Sequence, residues 1–259
     1  MATQKADWFQ SKDDIKLDFV NGWAETPVLT KTGLPNVKVY RGELKAGASF
    51  NGKHNARVLT TYIITSGTGY IITPQKAYNI KEISYFFNSL EDDYTFHAVT
   101  DLVYTKFDLI LSDYDLMRYN MNNLALPLFR QESELLQYKQ NVEIGKTVQK
   151  SVVVGKQMIR LVIGSNWADD ASGFYEIGHN AVAQYNVCHG GCDMDFTVDG
   201  VTIRHQAGDL SYVKAGLPHG SVARKGKCVQ YIYYEVYVQE KDFLKVFPEG
   251  PFEDTSKKH

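Results

Sequence analysis

Residues 179–220 read HNAVAQYNVCHGGCDMDFTVDGVTIRHQAGDLSYVKAGLPHG, a succession of short β-forming runs separated by turns that contain Gly, Asn or Asp. Asp199 and Gly200 stand between two such runs, and an Asp-Gly pair in this setting is a strong signal for a tight β-hairpin. Further along, residues 231–237 are almost continuously aromatic or aliphatic, which is typical of a strand buried on both faces. The stretch predicts an antiparallel β-structure.

The first half of the chain repeats the order of these features. A His-Asn-Ala tripeptide occurs at residues 54–56 and again at 179–181, each time followed by a β-forming run and a Gly-containing turn. A later histidine then precedes a long β-forming run, with His97 in the first half and His219 in the second. A repeat in this order predicts two β-rich halves related by duplication.

The connection between the halves is polar and rich in Asn, and residues 114–126 and 132–140 within it have the spacing of short helices. Pro127 separates the two segments. We therefore predict an N-terminal domain with an N-terminal arm over residues 1–112, a linker with short helices over 113–148, and a C-terminal domain over 149–259. A further short helix is predicted over residues 241–246.

Composition and charge exclude several classes of protein. The 259-residue chain has 28 Lys and Arg against 30 Asp and Glu and shows no basic patch, so no nucleic-acid partner is expected. There is no apolar N-terminal stretch and no run of about 18 apolar residues, so we expect neither a signal peptide nor a membrane partner. Three cysteines, an odd number, are unlike a disulfide framework and indicate a cytoplasmic protein.

The C-terminal half resembles the cupin superfamily in the order of four features: His179, a Gly-Gly turn at residues 190–191, an Ala-Gly-Asp turn at 207–209, and Pro218-His219. Together with the repeat, the chain resembles a two-domain cupin, or bicupin, and is weakly similar to manganese bicupins of the ureidoglycine aminohydrolase type. The resemblance implies an all-β fold of two cupin-type antiparallel β-barrels, also called the double-stranded β-helix or jelly roll, with a few short helices.

The resemblance also implies a metal site inside the C-terminal barrel. Its ligands are expected from His179 and His219, with Gln184 as a further donor. Ile177 stands at a ligand position of the family and cannot bind a metal, so that ligand is either lost or replaced by a neighbour such as Glu176. One divalent ion, Mn, Fe, Ni or Zn, is the expected cofactor, because such ions need nitrogen and oxygen donors that converge from a rigid scaffold.

The N-terminal half offers fewer donors. His54 and His97 fall at ligand positions of the family, while Ala56 and Thr60 or Thr61 occupy the others. Two histidines alone make a poor metal site. We therefore expect His54 and His97 to line a pocket of the second barrel.

Other histidines and cysteines have structural interpretations. Cys188, His189 and Cys192 suggest half of a zinc site, but no second pair accompanies them, so a structural zinc ion is not expected. His205 adjoins the turn at 207–209 and is predicted to be exposed. His179 and His219 also fit a second interpretation, as core histidines that donate to backbone carbonyls.

Three functions stay open at this stage. The first is a metal-dependent hydrolase, isomerase or lyase that acts on a small oxygen-rich metabolite, with Glu176 or a tyrosine such as Tyr233 transferring the proton. The second is an iron-dependent dioxygenase for a small aromatic or dicarbonyl substrate. The third is a non-catalytic module that binds a small molecule. Nucleotide-driven and serine-hydrolase mechanisms lack their sequence motifs.

The expected partners are a small-molecule substrate and a second copy of the chain. An arm formed by residues 18–30 is predicted to extend a sheet of the neighbouring copy, because an unpaired sheet edge is otherwise open to unwanted pairing. A homodimer is expected, since a two-fold pair is the commonest closed assembly.

Overall fold

The computed structural model of the chain describes residues 6–122, 124–154 and 158–239. Within them most of the regular structure is β-strand, with one α-helix and two short 3-10 helices. The helix predicted over residues 241–246 lies outside the described residues. No helix among the described residues has the length and apolar composition needed to cross a membrane.

The first part of the chain forms ten strands and the α-helix. Their burial alternates along most strands, as in β9, because successive side chains of a strand point to opposite faces of its sheet. The elements are β1 (Phe9–Gln10), a 3-10 helix (Lys12–Asp14), β2 (Trp23–Val28), β3 (Val37–Leu44), β4 (Ser49–Gly52), β5 (Val58–Ser66), β6 (Gly69–Ile72), β7 (Ala77–Ile80), β8 (Ser84–Phe87), β9 (Tyr94–Ala98), β10 (Leu102–Ile110) and α1 (Asp113–Asn122).

The second part of the chain contributes twelve further strands. They are β11 (Leu128–Gln131), β12 (Leu136–Tyr138) after a 3-10 helix (Glu132–Glu134), β13 (Glu143–Ile144), β14 (Thr147–Val153), β15 (Leu161–Ala168), β16 (Gly173–Glu176), β17 (Val182–Cys188), β18 (Asp193–Val198), β19 (Val201–Gln206), β20 (Leu210–Val213), β21 (His219–Ala223) and β22 (Val229–Tyr237). The predicted hairpin is confirmed between β18 and β19, where Asp199 and Gly200 both have positive φ angles, 47° and 78°.

The strands form two halves with the same strand order. In the N-terminal half, the larger sheet contains β8-β5-β10-β3-β2 and the smaller sheet is β4-β9-β6-β7. In the C-terminal half, the larger sheet contains β20-β17-β22-β15-β14 and the smaller sheet contains β16-β21-β18-β19. All pairs between these strands are antiparallel, so the all-β fold class is confirmed and the repeat read from the sequence has a structural counterpart.

The segments before each half pair with the other half. Strand β1 joins the larger sheet of the C-terminal half through β20, and β11 joins the larger sheet of the N-terminal half through β8. Residues 113–148 therefore supply strands to both halves instead of forming only a helical linker. The domain boundaries at 112 and 148 stay a prediction.

The helix predicted over residues 132–140 is wrong beyond its first turn. Only Glu132–Glu134 is helical, and Leu136–Tyr138 pairs with β14 as a strand. Hydrogen bonds to distant residues explain the difference, because the Glu132 carboxylate accepts from the hydroxyls of Tyr85 and Ser165, both at 2.8 Å. Such tertiary contacts outweigh a weak local preference for helix. The first predicted helix is confirmed in part as α1.

The arm predicted to extend a sheet of a neighbouring copy contains a strand that pairs within its own half. Residues 18–30 contain β2, which pairs with β3 at the edge of the larger N-terminal sheet. Dimer formation stays a prediction.

The two larger sheets enclose a shared apolar core. Ile232, Tyr234 and Val236 of β22 point into this core, whereas Tyr231 and Tyr233 point into the C-terminal half. The ring of Tyr234 stacks on Phe107 of the other half, with the centroids 4.1 Å apart and the planes 7° from parallel. The near-continuous apolar run at residues 231–237 is therefore a strand buried on both faces, as predicted.

The prediction that His205 is exposed is wrong, because residues near the start of the chain cover it. The side chain is 0% exposed. Trp8 stacks on its imidazole with the ring centroids 6.0 Å apart, and Phe9 meets it edge-on at 4.7 Å. The residues around His205 could not predict this burial, because the strand that covers His205 is β1, which comes from the opposite end of the sequence.

This burial makes stability depend on pH. Burial lowers the pKa of both His205 and His189 to about 4, whereas an unfolded histidine titrates near about 6.5. Between these two pH values the unfolded chain binds more protons than the folded chain does. The free energy of unfolding is therefore highest above about pH 6.5 and decreases as the pH falls towards about 4. We expect each histidine to account for about 3 kcal/mol of this loss.

Urea denaturation of the wild-type protein and of His205→Leu across this pH window measures the effect. The variant is expected to lose less unfolding free energy on acidification than the wild type does. His54→Gln is the matched control, because its side chain is 45% exposed. Identical pH dependence in His205→Leu and the wild type would contradict the prediction.

Candidate metal site

Two paired strands and the loop between β16 and β17 assemble a cluster inside the C-terminal half. Glu176 is the last residue of β16 and lies opposite His219, the first residue of β21. The chain then turns at Gly178, whose φ is 100° and where a Cβ would lie 2.7 Å from the Leu217 carbonyl oxygen. Only glycine fits this turn. It brings His179 back over Glu176, and the Gly216 amide holds the loop by donating to the His179 carbonyl at 2.8 Å.

The three side chains present one donor atom each to a common point. The ligand atoms of Glu176, His179 and His219 all lie within 4.8 Å of one another. His179 Nε2 forms an ion pair with Glu176 Oε2, and His219 Nε2 lies 4.0 Å from the same oxygen. His219 is 4% exposed, whereas the His179 side chain is 40% exposed and forms the outer side of the cluster.

Two further side chains reach the cluster from the larger sheet. Gln184 on β17 and Glu235 on β22 lie opposite each other in the sheet. Gln184 Oε1 is 3.2 Å from His219 Nε2, and Glu235 Oε1 is 3.7 Å from His179 Nε2. The site therefore contains two imidazoles, two carboxyl groups and one amide.

A backbone carbonyl sets the orientation of His219. Its Nδ1–H donates to the Leu217 carbonyl oxygen at 3.1 Å, which leaves the lone pair of Nε2 facing into the cluster. Burial lowers the pKa of His219, so its imidazole is neutral and available as a ligand.

Gln184 presents an oxygen to the same lone pair. Its amide nitrogen donates to Asn186 Oδ1 at 2.7 Å, and Asn186 in turn donates to Ser211 Oγ at 3.2 Å. Gln184 Oε1 and His219 Nε2 are therefore two acceptors that face each other at 3.2 Å. A cation or a proton between them satisfies both atoms.

The two carboxyl groups differ in their protonation. Burial raises the pKa of Glu176, but the hydrogen bond and the charge of His179 outweigh burial and bring its pKa below the usual value. The same hydrogen bond raises the pKa of His179. Burial raises the pKa of Glu235 to about 7. Glu176 is thus held as a carboxylate, and Glu235 titrates near neutrality.

Tyr233 lies on the same face of β22 as Glu235, in contact with a second tyrosine. Its hydroxyl is 2.5 Å from that of Tyr138 on β12. Burial raises the pKa of Tyr233 well above 10 and that of Tyr138 to about 12. Both phenols stay protonated at neutral pH and can donate hydrogen bonds.

A chain of amides and hydroxyls lines the rest of this interior. Gln149 donates to Asn166 at 3.2 Å, and Asn166 donates to the Tyr231 hydroxyl at 2.8 Å. All three side chains are buried. Polar and apolar side chains therefore share the interior of the C-terminal half, because Phe196 packs beside His219 with the ring centroids 6.3 Å apart.

The cluster fits a divalent metal ion. Ligand atoms that share an ion at about 2.0–2.2 Å are roughly 3–4 Å apart, close to the separations of Glu176, His179 and His219. One carboxylate, two imidazoles and an amide oxygen form a mixed N and O donor set that suits Mn, Fe, Ni or Zn. Glu176 takes the place at the cluster that Ile177 cannot fill, and Ile177 itself is 83% exposed.

The expected pocket lined by His54 and His97 in the N-terminal half is wrong. His54 is on the outer surface, with Nδ1 2.8 Å from Asp93 Oδ1. His97 faces outward on β9, where its ring stacks on Tyr70 and Nδ1 lies 2.6 Å from Ser49 Oγ.

Register explains why these histidines are not equivalent to the C-terminal pair. Glu176 pairs with His219, and the corresponding positions of β4 and β9 are Gly52 and Tyr94. The Tyr94 ring occupies the space where a Cβ of Gly52 would be, only 2.1 Å from that position. Aromatic rings fill the interior around it: Phe50, Tyr62, Phe86, Phe96 and Tyr104.

Among the residues singled out from the sequence, the structure brings together Glu176, His179, Gln184 and His219. It adds Glu235, which the sequence analysis missed. A usable signal was present, because Glu235 is the one charged residue in the apolar run 231–237. A carboxyl group inside such a buried strand needs a partner. Cys188, His189 and Cys192 belong to no metal-binding group of three among the described residues.

Comparison by sequence finds no relatives of this chain. No family model matches it, and no curated protein matches it.

Comparison by structure finds many solved relatives of the fold. A putative glyoxylate-induced protein from Pseudomonas aeruginosa has a TM-score of 0.71 at 10% identity, covering 89% of both chains. A variant of oxalate decarboxylase from Bacillus subtilis has a TM-score of 0.66 at 11% identity, covering 98% of this chain and 87% of the other. A cupin 2 conserved barrel domain protein from Leptotrichia buccalis has a TM-score of 0.56 at 15% identity, covering 86% and 98%.

At these identities the likenesses show the fold alone. They span most of this chain and most of each matched chain, and they include proteins with cupin domains. The chain therefore has the antiparallel jelly-roll fold of cupin-domain proteins.

Proposed function

We propose that the chain is a metal-dependent enzyme that acts on a small oxygen-rich metabolite by Lewis-acid and proton-transfer chemistry, as a hydrolase, isomerase or lyase. The observation that carries this proposal is the convergence of Glu176, His179 and His219 within 4.8 Å, next to a second half-buried carboxyl group, Glu235. A fold neighbour supports it, because solved structures of Bacillus subtilis oxalate decarboxylase describe Mn(II) centres.

Glu176, His179, His219 and the Gln184 oxygen would hold the ion. A bound divalent ion polarises a carbonyl or hydroxyl oxygen and stabilises negative charge that develops on it. The surrounding chain supports these ligands, because the Leu217 carbonyl orients His219 and Asn186 orients Gln184. Such supporting contacts fix ligand geometry and tune affinity.

Glu235 is the group we assign to proton transfer. Its Oε1 lies 3.7 Å from His179 Nε2, and the set of one carboxylate and two imidazoles is complete without it. It is half-buried on β22, the strand that also carries Tyr233. Glu176, which we also considered for this role, contacts both histidines and is better placed as a ligand. Tyr233 and Tyr138 would donate hydrogen bonds to substrate oxygens.

The buried hydrogen-bonding groups of the C-terminal half support an oxygen-rich substrate. Gln149, Asn166 and Tyr231 offer amide and hydroxyl groups within the same half, and a polar substrate can replace the hydrogen bonds that these groups make with one another. A dioxygenase for a small aromatic substrate needs an apolar pocket beside the metal. This comparison ranks the hydrolase, isomerase or lyase above the dioxygenase.

Glu235→Gln separates proton transfer from metal binding. The substitution keeps the shape of the side chain and removes its ionisable group. We expect the variant to retain metal, as measured by elemental analysis, and to lose about 10²- to 10⁴-fold in turnover, the usual contribution of a general acid or base. Turnover is measured on metal-loaded protein against small hydroxy acids, keto acids, sugars and ureido compounds.

Arg57→Gln is the matched control, because Arg57 pairs with Asp113 on the surface and is outside the C-terminal half. Full turnover in Glu235→Gln would contradict the assigned role. Bound metal without turnover of any compound in the wild type would instead favour a non-catalytic binding module.

A further inference from the structure

A cleft separate from the candidate metal site opens where the two halves and the start of the chain meet. Its volume is about 420 Å³, within the range of small-molecule sites. Lys12 and Asp13 line it from the start of the chain, Arg41 and Glu43 from β3, and His189 and Gly190 from the loop after β17. None of these residues belongs to the candidate metal site.

The cleft forms because one face of β3 is apolar at the start of the strand and charged towards its end. Val37 and Val39 on this face belong to the apolar core between the halves. Arg41 and Glu43 continue the same face, since alternate residues of a strand point the same way. Charged side chains do not pack into an apolar interface, so the two halves leave a gap at this end.

The cations of the cleft are not held in close ion pairs, although each lies near a carboxyl group, Arg41 near Glu43 and Lys12 near Asp209. Among the described residues, neither Arg41 nor Lys12 forms an ion pair, whereas Glu43 is paired with Lys45 at 3.2 Å. The only side-chain hydrogen bond of the Arg41 guanidinium within the described residues is a long one, 3.4 Å to Thr105 Oγ1. Arg41 is half-buried, and burial lowers its pKa more than the neighbouring charge of Glu43 raises it. Asp13 contributes an opposing charge at the exposed rim.

His189 in the wall of the cleft also lacks a partner. Its side chain is buried, 5% exposed, and neither ring nitrogen has a hydrogen-bond partner. A buried polar group left in this state is costly, and in native proteins it usually points to a missing ligand or water.

We propose that this cleft is a second binding site, specific for a small carboxylate. The planar guanidinium of Arg41 matches a carboxylate in a two-point hydrogen bond, and Lys12 adds a second positive charge at the mouth. His189 lies in the wall of the same cleft and is close enough to report on a bound ligand. The site is separate from the proposed catalytic function and does not depend on it.

Succinate, acetate and inorganic phosphate are the probes. Each is titrated at millimolar concentration into the full-length protein with ¹⁵N-labelled histidine, and the ring resonances of His189 are followed by NMR. We expect succinate or acetate to shift these resonances to saturation. Arg41→Gln is expected to weaken the carboxylate affinity by about tenfold or more, the effect of losing one charge-assisted contact.

Two further proteins make the test decisive. His179→Gln with His219→Gln disables the candidate metal site, and carboxylate binding at the cleft is expected to remain; if the shifts disappear there, the ligand was at the metal site and the proposal fails. Lys12→Gln changes only an exposed side chain, and it is expected to weaken binding even if Arg41→Gln does not fold. Unchanged affinity in Lys12→Gln and any folded Arg41→Gln, or binding of phosphate without either carboxylate, overturns the proposal.

Discussion

Replacing His179 and His219 together by alanine is expected to remove the bound metal from the purified protein. The two imidazoles and Glu176 are the donors that lie within 4.8 Å of one another, so the double variant keeps only one of the three. Loss of a supporting residue around a metal costs about 10- to 100-fold in affinity, and loss of two direct ligands should exceed the upper figure. The wild-type protein should hold about one equivalent of ion, because the described residues form one such cluster.

Elemental analysis after dialysis against Mn, Fe, Ni and Zn salts measures both proteins. The identity of the metal in the wild-type protein also distinguishes the two enzyme hypotheses. Iron would favour the dioxygenase, whereas manganese or zinc would support Lewis-acid catalysis.

The matched control is His54→Ala with His97→Ala, which removes two histidines that lie on the outer surface of the N-terminal half. This variant should keep the full metal content. Metal retained by the His179 and His219 double variant would disprove the assigned ligands. No metal in the wild type, with the fold intact by circular dichroism, would leave the C-terminal half as a metal-free binding pocket.

Phe107→Ala is expected to lower the free energy of unfolding by about 3–5 kcal/mol, the usual cost of truncating a buried phenylalanine. Phe107 is 0% exposed and stacks on Tyr234 from the other half at 4.1 Å. The cavity cannot close easily, because β10 and β22 are each central strands of the two sheets that face it. The halves should consequently lose stability together.

Urea denaturation followed by tryptophan fluorescence and circular dichroism tests this expectation. Phe19→Ala is the control. Phe19 is 42% exposed and contacts the Lys45 ammonium, so the loss should be under about 1 kcal/mol. A loss of that small size in Phe107→Ala would show that the shared core contributes little. Two separate transitions in the wild type would show that the halves unfold independently.

Several features of this protein follow from local sequence alone. The Asp199-Gly200 turn is one, because only a few residue pairs adopt positive φ at both central positions of a tight hairpin. The doubly buried strand at 231–237 is another, since continuous apolar residues have no solvent face. The repeated order of tripeptide, turn and late histidine likewise predicted two halves of the same strand order.

The candidate site was only partly accessible to the same reasoning. Glu176, His179, Gln184 and His219 were identified through the resemblance to the cupin superfamily, and the structure places them together. The parallel argument failed for His97, because it aligned two histidines by their order along the chain. Pairing is set by register, and the position that corresponds to His219 is Tyr94.

Sequence by itself determined the strands, the tight turns and the duplicated all-β plan, because these depend on the preferences of neighbouring residues. Tertiary structure alone decided which side chains meet. It placed Glu235 beside His179, filled the equivalent N-terminal position with Tyr94, and covered His205 with β1. Contacts of this kind depend on strand register and on packing between residues far apart in the chain, and neither leaves a periodic signal in the sequence.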